Sequence, residues 1–182
     1  KMIPAIMCGN TCVWKSPQDS PLLSFMLTRI MHEAGLPNGV INLIHGKGSG
    51  AGQFLVDSVD EGLVNKISFT GSTPVGKMIG ETCGRNLVSC SLELGGKNPL
   101  VVLPSANIEN AVEGAYWAAF GTAGQRCTSL GNLILHKDIY EDFMDKFMEK
   151  VKQTKIGDSL RNDDVLYGSM ISEKYASDFL RD

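Results

Sequence analysis

Long apolar runs, paired metal-ligand spacings and a strong charge of either sign are all missing from this 182-residue chain. No stretch approaches the roughly 20 apolar residues of a membrane-spanning helix, and no charged region leads into a signal-type segment, so no membrane partner is expected. Lys and Arg number 17 against 20 Asp and Glu, a net charge of -3 that gives no electrostatic reason to expect nucleic acid. The five cysteines, at 8, 12, 83, 90 and 127, are odd in number and match no zinc pattern. Reduced thiols, no metal and a reducing, cytoplasmic location are the expectation. The chain opens at Lys1 without a methionine and stops in "SDFLRD", a helix-like run, which leaves open a targeting segment upstream. Internal repeats and low-complexity linkers are absent too.

What is present is an alternation of short apolar strands, glycine-rich turns and helices. "TCVWK" (11–15) reads as a strand, and "SPLLSFMLTRIMHEAGLP" as a helix with Ser20 as cap and Pro21 in its first turn. Its residues Leu22, Leu23, Met26, Leu27, Ile30, Met31 and Ala34 form one apolar face, ended by Gly35 and Pro37. Strand "VINLI" leads into the glycine loop "HGKGSGAG" and a helical run "QFLVD", and strand "KISF" meets "TGSTPVGKMIG", with a helix starting near Thr73 and Pro74. "LVSCSLEL" (87–94) turns at Gly95 and Gly96 into strand "PLVVL". Helix "IENAVEGAYWAAF", strand "NLILH" and helix "DIYEDFMDKFMEKVKQ" follow, the last with Asp138 and Glu141 spaced as a capping box. This order predicts an α/β fold with parallel sheets, divided at the double glycine.

Four stretches could carry chemistry. Gly46, Gly48 and Gly52 stand where backbone N–H groups could approach an anion, although G-x-G-x-x-x-G departs from the usual dinucleotide spacing and also suits a plain turn. "FTGST" (69–73) is a second such loop, its hydroxyls suited to phosphate or to capping a helix. Two loops of this kind after successive strands favour a nucleotide. Glu93 is either a solvated carboxylate or one turned into a site. Cys127, in "GTAGQRCTS", is either a small buried hydrophobe or a nucleophile, with Arg126 beside it able to attract an anion. The pattern brings none of the three histidines to Cys127, which argues against a papain-like hydrolase.

Together, "GNTCVWKSPQDSP", "GLPNGVINLIHGKGSGAG", "KISFTGSTPVGKMI", "LELGGKNPLVVL" and "GQRCTS" resemble the ordered motifs of the NAD(P)-dependent aldehyde dehydrogenase superfamily. The resemblance runs from about residue 5 to residue 172, and the 34 residues between Glu93 and Cys127 match the family's separation. It implies an aldehyde dehydrogenase-like fold, with part of a Rossmann-type NAD(P)-binding domain over 1–94 and part of an α/β catalytic domain over 95–182. It also implies oxidation of an aldehyde to a carboxylic acid with NAD or NADP. Cys127 matches the nucleophile that forms a thiohemiacetal and then a thioester, and Glu93 the base that activates water for hydrolysis. Lys15 matches a contact to the adenosine ribose, Gly48 and Gly52 the nucleotide side, and Ser72 a pyrophosphate contact. Thr70 and Gly71 lie towards the nicotinamide, with Leu94 also on the cofactor.

Gln18 replaces the ribose-binding glutamate usual in NAD-preferring members, which removes repulsion against a 2′-phosphate and implies that NADP is tolerated. Arg126 stands where many members have an apolar residue or cysteine, and implies an anionic aldehyde or an arginine that bonds nearby carbonyls. Gly168 and Ser169 replace a glycine-proline pair. The family's upstream oxyanion asparagine and downstream ribose-holding residues have no counterpart here, so the isolated piece is expected to be inactive. A homodimer or homotetramer is expected when full length. The competing readings are a non-catalytic fragment or structural relative and, against the presence of Glu93, a CoA-acylating dehydrogenase.

Overall fold

The computed structural model describes residues 1–181 and divides into two compact units, Lys1–Glu93 and the chain from Leu94 onward. In the first unit, α1 (Met2–Met7), β1 (Cys12–Lys15), α2 (Pro21–Glu33), β2 (Ile41–Ile44), α3 (Gln53–Asp60), β3 (Lys66–Gly71), α4 (Thr73–Arg85) and β4 (Ser89–Leu94, ending on the boundary) alternate, all but α1 being elements that the sequence predicts. β1 and β2 run parallel, Cys12 opposite Ile41 through Lys15 opposite Ile44, and β3 pairs with β4. The parallel pairing requires a crossover, and α2 supplies it.

The helices of this unit end by one device. After α1, α2 and α3 a glycine takes positive φ (Gly9 80°, Gly35 95°, Gly62 73°), and the next amide closes onto a carbonyl one turn back. This Schellman closure satisfies carbonyls that would otherwise lack donors. After α4 the same closure is made with Leu87 at φ 55°, its side chain 95% exposed. A left-handed leucine costs about 1–2 kcal/mol relative to a right-handed one.

Two expectations are corrected here. The apolar face of α2 does not enter a core of this unit: Leu22, Leu23, Met26, Leu27 and Ile30 are all exposed, while Ser24 is buried and Thr28 half-buried. Periodicity identifies an apolar face but not what covers it. The glycines of "HGKGSGAG" are not all loop, because Gly48–Gly52 wind as a π-helical turn that runs directly into α3. The unit's buried cluster is small: Val56, Ile79 and Cys83, with Ile67, Phe69, Val88, Cys90 and Leu92 against it. Burial, and then the neighbouring Cys90, pushes the Cys83 thiol up, as suits a packed thiol.

The second unit has β5 (Asn98–Val102), α5 (Ile108–Phe120), β6 (Leu130–Leu135), α6 (Tyr140–Lys152) and α7 (Glu173–Arg181). β5 and β6 run parallel over Pro99–Val102 and Asn132–Leu135, with a bulge at Gly131. A Cβ on Gly131 would stand 2.8 Å from Lys97 Cα, so only glycine lets the chains pass this closely. Val102, Val112, Ala115, Tyr116, Phe143 and Phe147 form the core, with the ring of Phe147 stacked between those of Phe120 (6.1 Å) and Phe143 (5.9 Å). The residues that recur at helical spacing in the sequence, Ile108, Ala111, Val112, Ala115, Tyr116 and Phe120 before the cysteine turn and Ile139, Phe143, Phe147 and Val151 after it, are those that pack. The capping box is not formed: Lys137–Ile139 make a 3₁₀ turn, and the amide of Asp138 donates to His136 Nδ1 instead. No helix among the described residues is long and apolar enough to cross a membrane.

Candidate functional site

The residues of interest fall on two structures, one in each unit. In the first, Lys15 ends β1 and its Nζ donates to the carbonyls of Ser16 (2.6 Å) and Gly46 (3.4 Å). Its stem lies along the glycine turn, since a Cβ on Gly52 would touch Lys15 Cδ at 3.5 Å, whereas one on Gly48 would meet nothing within 4 Å. Ser16, 1% exposed, bonds His45 Nδ1 through its hydroxyl at 2.8 Å and so locks the end of β1 to the end of β2. Gln18 is exposed on the rim of a groove also lined by Pro17, Pro21, His45, Gly46 and Lys47.

β3 delivers Thr70 and Gly71, both exposed, to the start of α4. Ser72 occupies the N-cap position with extended backbone, yet its hydroxyl makes no capping bond. The first amides of a 13-residue helix are thus without a side-chain acceptor. An anion there would complement both those donors and the positive end of the helix dipole. A lysine ammonium at a strand end, a turn with glycine at every other position and an uncapped helix N-terminus suit a dinucleotide. Lys15, Gly48, Gly52 and Ser72 are the residues that would hold one. Glu93 and Leu94 close β4, the carboxylate exposed and the leucine half-buried.

In the second unit α5 stops at Gly121, and the chain enters three successive left-handed residues, Thr122 (φ 54°), Ala123 (φ 56°) and Gly124 (φ 68°). Two of these are not glycine, a conformation sustained only where the surroundings dictate it. Gly121 is where a side chain cannot fit, because a Cβ would stand 2.9 Å from the Trp117 ring and 3.0 Å from the Arg126 guanidinium. Arg126 lies over that ring at 5.4 Å and donates to the Trp117 carbonyl at 2.8 Å, closing the helix end with a positive charge. Its Nε is buried without a hydrogen-bond acceptor.

Cys127 follows, exposed, on a turn with two internal ties. The amide of Arg126 donates to Ser129 Oγ at 3.2 Å, and the amide of Ser129 to the Arg126 carbonyl at 3.1 Å. From β5, Asn98 Nδ2 donates to the carbonyls of Cys127 (2.7 Å) and Ser129 (2.9 Å). Each such bond contributes about 0.5–1.5 kcal/mol net. The sequence reading did not single out Asn98 or Trp117. "LELGGKNP" includes Asn98, but only the pairing of β5 with β6 brings it to the turn.

Comparison with known proteins places this geometry. The family model described as "Aldehyde dehydrogenase family" matches residues 1–181. Phenylacetaldehyde dehydrogenase of Pseudomonas fluorescens is 41% identical over 181 residues, 100% of this chain and 35% of that protein. D-glyceraldehyde dehydrogenase (NADP(+)) of Picrophilus torridus is 42% identical over 163 residues, 90% of this chain and 32% of that protein. A crystal structure of PnpE in complex with nicotinamide adenine dinucleotide superposes with a TM-score of 0.92 at 41% identity, over 100% of this chain and 36% of that one. The chain therefore spans about a third of the length of the relatives it matches. With motifs, fold and family model in agreement over 1–181, the chain belongs to the aldehyde dehydrogenase family.

Proposed function

We propose that the protein carrying this chain oxidises an aldehyde to a carboxylic acid, using NAD or NADP, with Cys127 as nucleophile and Glu93 as general base. The observation that carries the reading is an exposed thiol on a tied turn, inside a chain whose family match covers residues 1–181. Cys127 Sγ, as thiolate, forms a C–S bond to the aldehyde carbon and leaves a thiohemiacetal. The bound dinucleotide supplies a hydride acceptor. Loss of hydride from the thiohemiacetal carbon gives a thioester on Cys127. Glu93 takes a proton from water, whose oxygen displaces the thiol and releases the carboxylic acid.

In this reading Lys15, Gly48, Gly52 and Ser72 hold the dinucleotide, and Thr70, Gly71 and Leu94 border its nicotinamide end. Gln18 presents no carboxylate to a 2′-phosphate, and Lys47 on the same groove adds a positive charge, which supports use of NADP as well as NAD. A cytoplasmic homodimer or homotetramer completes the proposal.

NAD(P)H formation by the full-length protein with a panel of aldehydes tests it. Cys127→Ser is expected to abolish turnover, and Glu93→Gln to retain the first burst of NAD(P)H but stall afterwards. Unaltered turnover in Cys127→Ser overturns the assignment. For Arg126, kcat/KM in Arg126→Ala separates two roles. A selective loss for anionic aldehydes makes it a substrate contact, whereas equal losses for neutral and anionic aldehydes make it a support of the helix end through Trp117.

A further inference from the structure

We infer that Asn98 is the positioning residue for Cys127, fixing the direction of the thiol by clamping two carbonyls of its turn. The inference rests on the reading of Cys127 as the nucleophile. An exposed thiol has few neighbours to orient it, so its direction is inherited from its backbone. The Cys127 carbonyl belongs to a rigid, planar peptide unit, and holding that oxygen fixes ψ of Cys127 and with it the Cα–Cβ direction. Asn98 Nδ2 does this at 2.7 Å and takes the Ser129 carbonyl at 2.9 Å with its other hydrogen. Both neighbours are acceptors only, so the amide has one usable orientation, with the NH₂ group towards the turn. No aspartate can do the same while ionised, and a serine can serve only one of the two carbonyls.

The clamp has a firm base. Asn98 opens β5 beside the Gly131 bulge, where the two backbones are too close for any side chain. Upstream of Cys127 the chain is different in kind, three left-handed residues without a ladder of hydrogen bonds. Arg126, with its amide on Ser129 Oγ and its guanidinium on Trp117, ties the turn to α5, and the asparagine ties it to the sheet. Displacing a nucleophile by about 1 Å costs on the order of 100-fold in rate, which sets the scale of the effect.

The test uses the full-length protein with Asn98→Asp, Asn98→Ser and, as a control, Asn132→Ala. Asn132 Nδ2 donates to the Lys97 carbonyl at 3.3 Å and so ties the same two strands without touching the turn. The readouts are the burst rate of NAD(P)H, the rate of Cys127 alkylation by iodoacetamide and the alkylation of buried Cys83. Asn98→Asp is expected to slow the burst by about 10- to 100-fold and Asn98→Ser by less, with Asn132→Ala near wild type. Alkylation of Cys127 by the small, unoriented reagent should change little, and Cys83 should stay protected. A wild-type burst in both Asn98 variants overturns the proposal. So does a burst loss shared equally by Asn132→Ala, or one accompanied in both Asn98 variants by exposure of Cys83, because either marks a purely structural role. Failure of the nucleophile reading is seen separately, as wild-type turnover in Cys127→Ser.

Discussion

The two units solve the same problem with different means. The first is built from local rules: four helices each close through one left-handed residue, glycine three times and Leu87 once, and its buried cluster, from α3 and α4, is only Val56, Ile79 and Cys83. The second has a larger aromatic core and, past the end of α5, sets Thr122 and Ala123 in succession in the left-handed region that the first unit enters one residue at a time, at glycines and at Leu87. The left-handed pair follows α5, whose Val112, Ala115 and Tyr116 pack with Phe143 and Phe147. A thin core with regular helix ends suits a surface that holds a ligand through backbone groups.

The sharpest way to break this contrast is to empty the two cores. Phe143→Ala, at a site 0% exposed, should cost about 3–5 kcal/mol. Ile79→Ala, at 3% exposure, should fall near the lower end of the usual range, about 2 kcal/mol. Hydrogen exchange of β5–β6 and β3–β4 amides in the full-length protein reads each unit separately, and equal losses would erase the distinction.

Helix starts give a smaller test. Asn107 caps α5 by accepting from the amide of Asn110 at 2.9 Å, so Asn107→Ala should cost about 1 kcal/mol. Ser72 makes no such bond, and Ser72→Ala should leave thermal stability unchanged while weakening dinucleotide binding measured by calorimetry. A stability loss at Ser72 as large as that at Asn107 would mean that the hydroxyl caps the helix after all.

At helix ends the sign reverses. Leu87→Gly should stabilise the first unit by about 1 kcal/mol, because it relieves the left-handed backbone and gives up a side chain that is 95% exposed. A lower melting temperature would show that the leucine is covered in the full-length protein.

The smallest effect concerns the ion pairs of Lys146, one across to α5 and one within α6. Lys146 reaches Glu109 at 2.9 Å and Asp142 at 3.1 Å, and the hydrogen bond from Lys146 holds the Glu109 carboxyl below its ordinary 4.5. A depressed carboxyl contributes stability that is complete above that ordinary value and is lost as pH falls through the lower, folded value. The Lys146 ammonium is raised above 10.5, chiefly by the same bond, so its contribution is complete below 10.5 and lost at still higher pH. Glu109→Gln should therefore flatten acid unfolding below about pH 4.5 slightly and leave neutral stability almost unchanged, since such pairs are exposed and screened.

Much of the fold was legible because it is punctuated locally. Pro21 and Pro74 start helices, Gly35 ends one, and the apolar spacing of Ile108–Phe120 specifies the face that packs. What was hidden depends on distant neighbours. The apolar stripe of α2 reads as core although this unit leaves it exposed, and the Asp138–Glu141 spacing reads as a cap although His136 takes the amide first. The site follows the same division: Cys127 and Glu93 are visible as motif residues, while Asn98 and Trp117 acquire meaning only through strand pairing and a chain reversal.

The guanidinium of Arg126, seated on Trp117, ties the identities of two positions together. An apolar residue at 126 would leave the Trp117 carbonyl with the Gly121 amide alone and the indole without its cation, and a small residue at 117 would leave the guanidinium its carbonyl partner but no ring to lie on. Positions 117 and 126 should therefore change together through evolution, and a double-mutant cycle across them should be strongly non-additive in the reactivity of Cys127. An alteration ten residues before the cysteine would then be felt at its sulfur without touching any substrate.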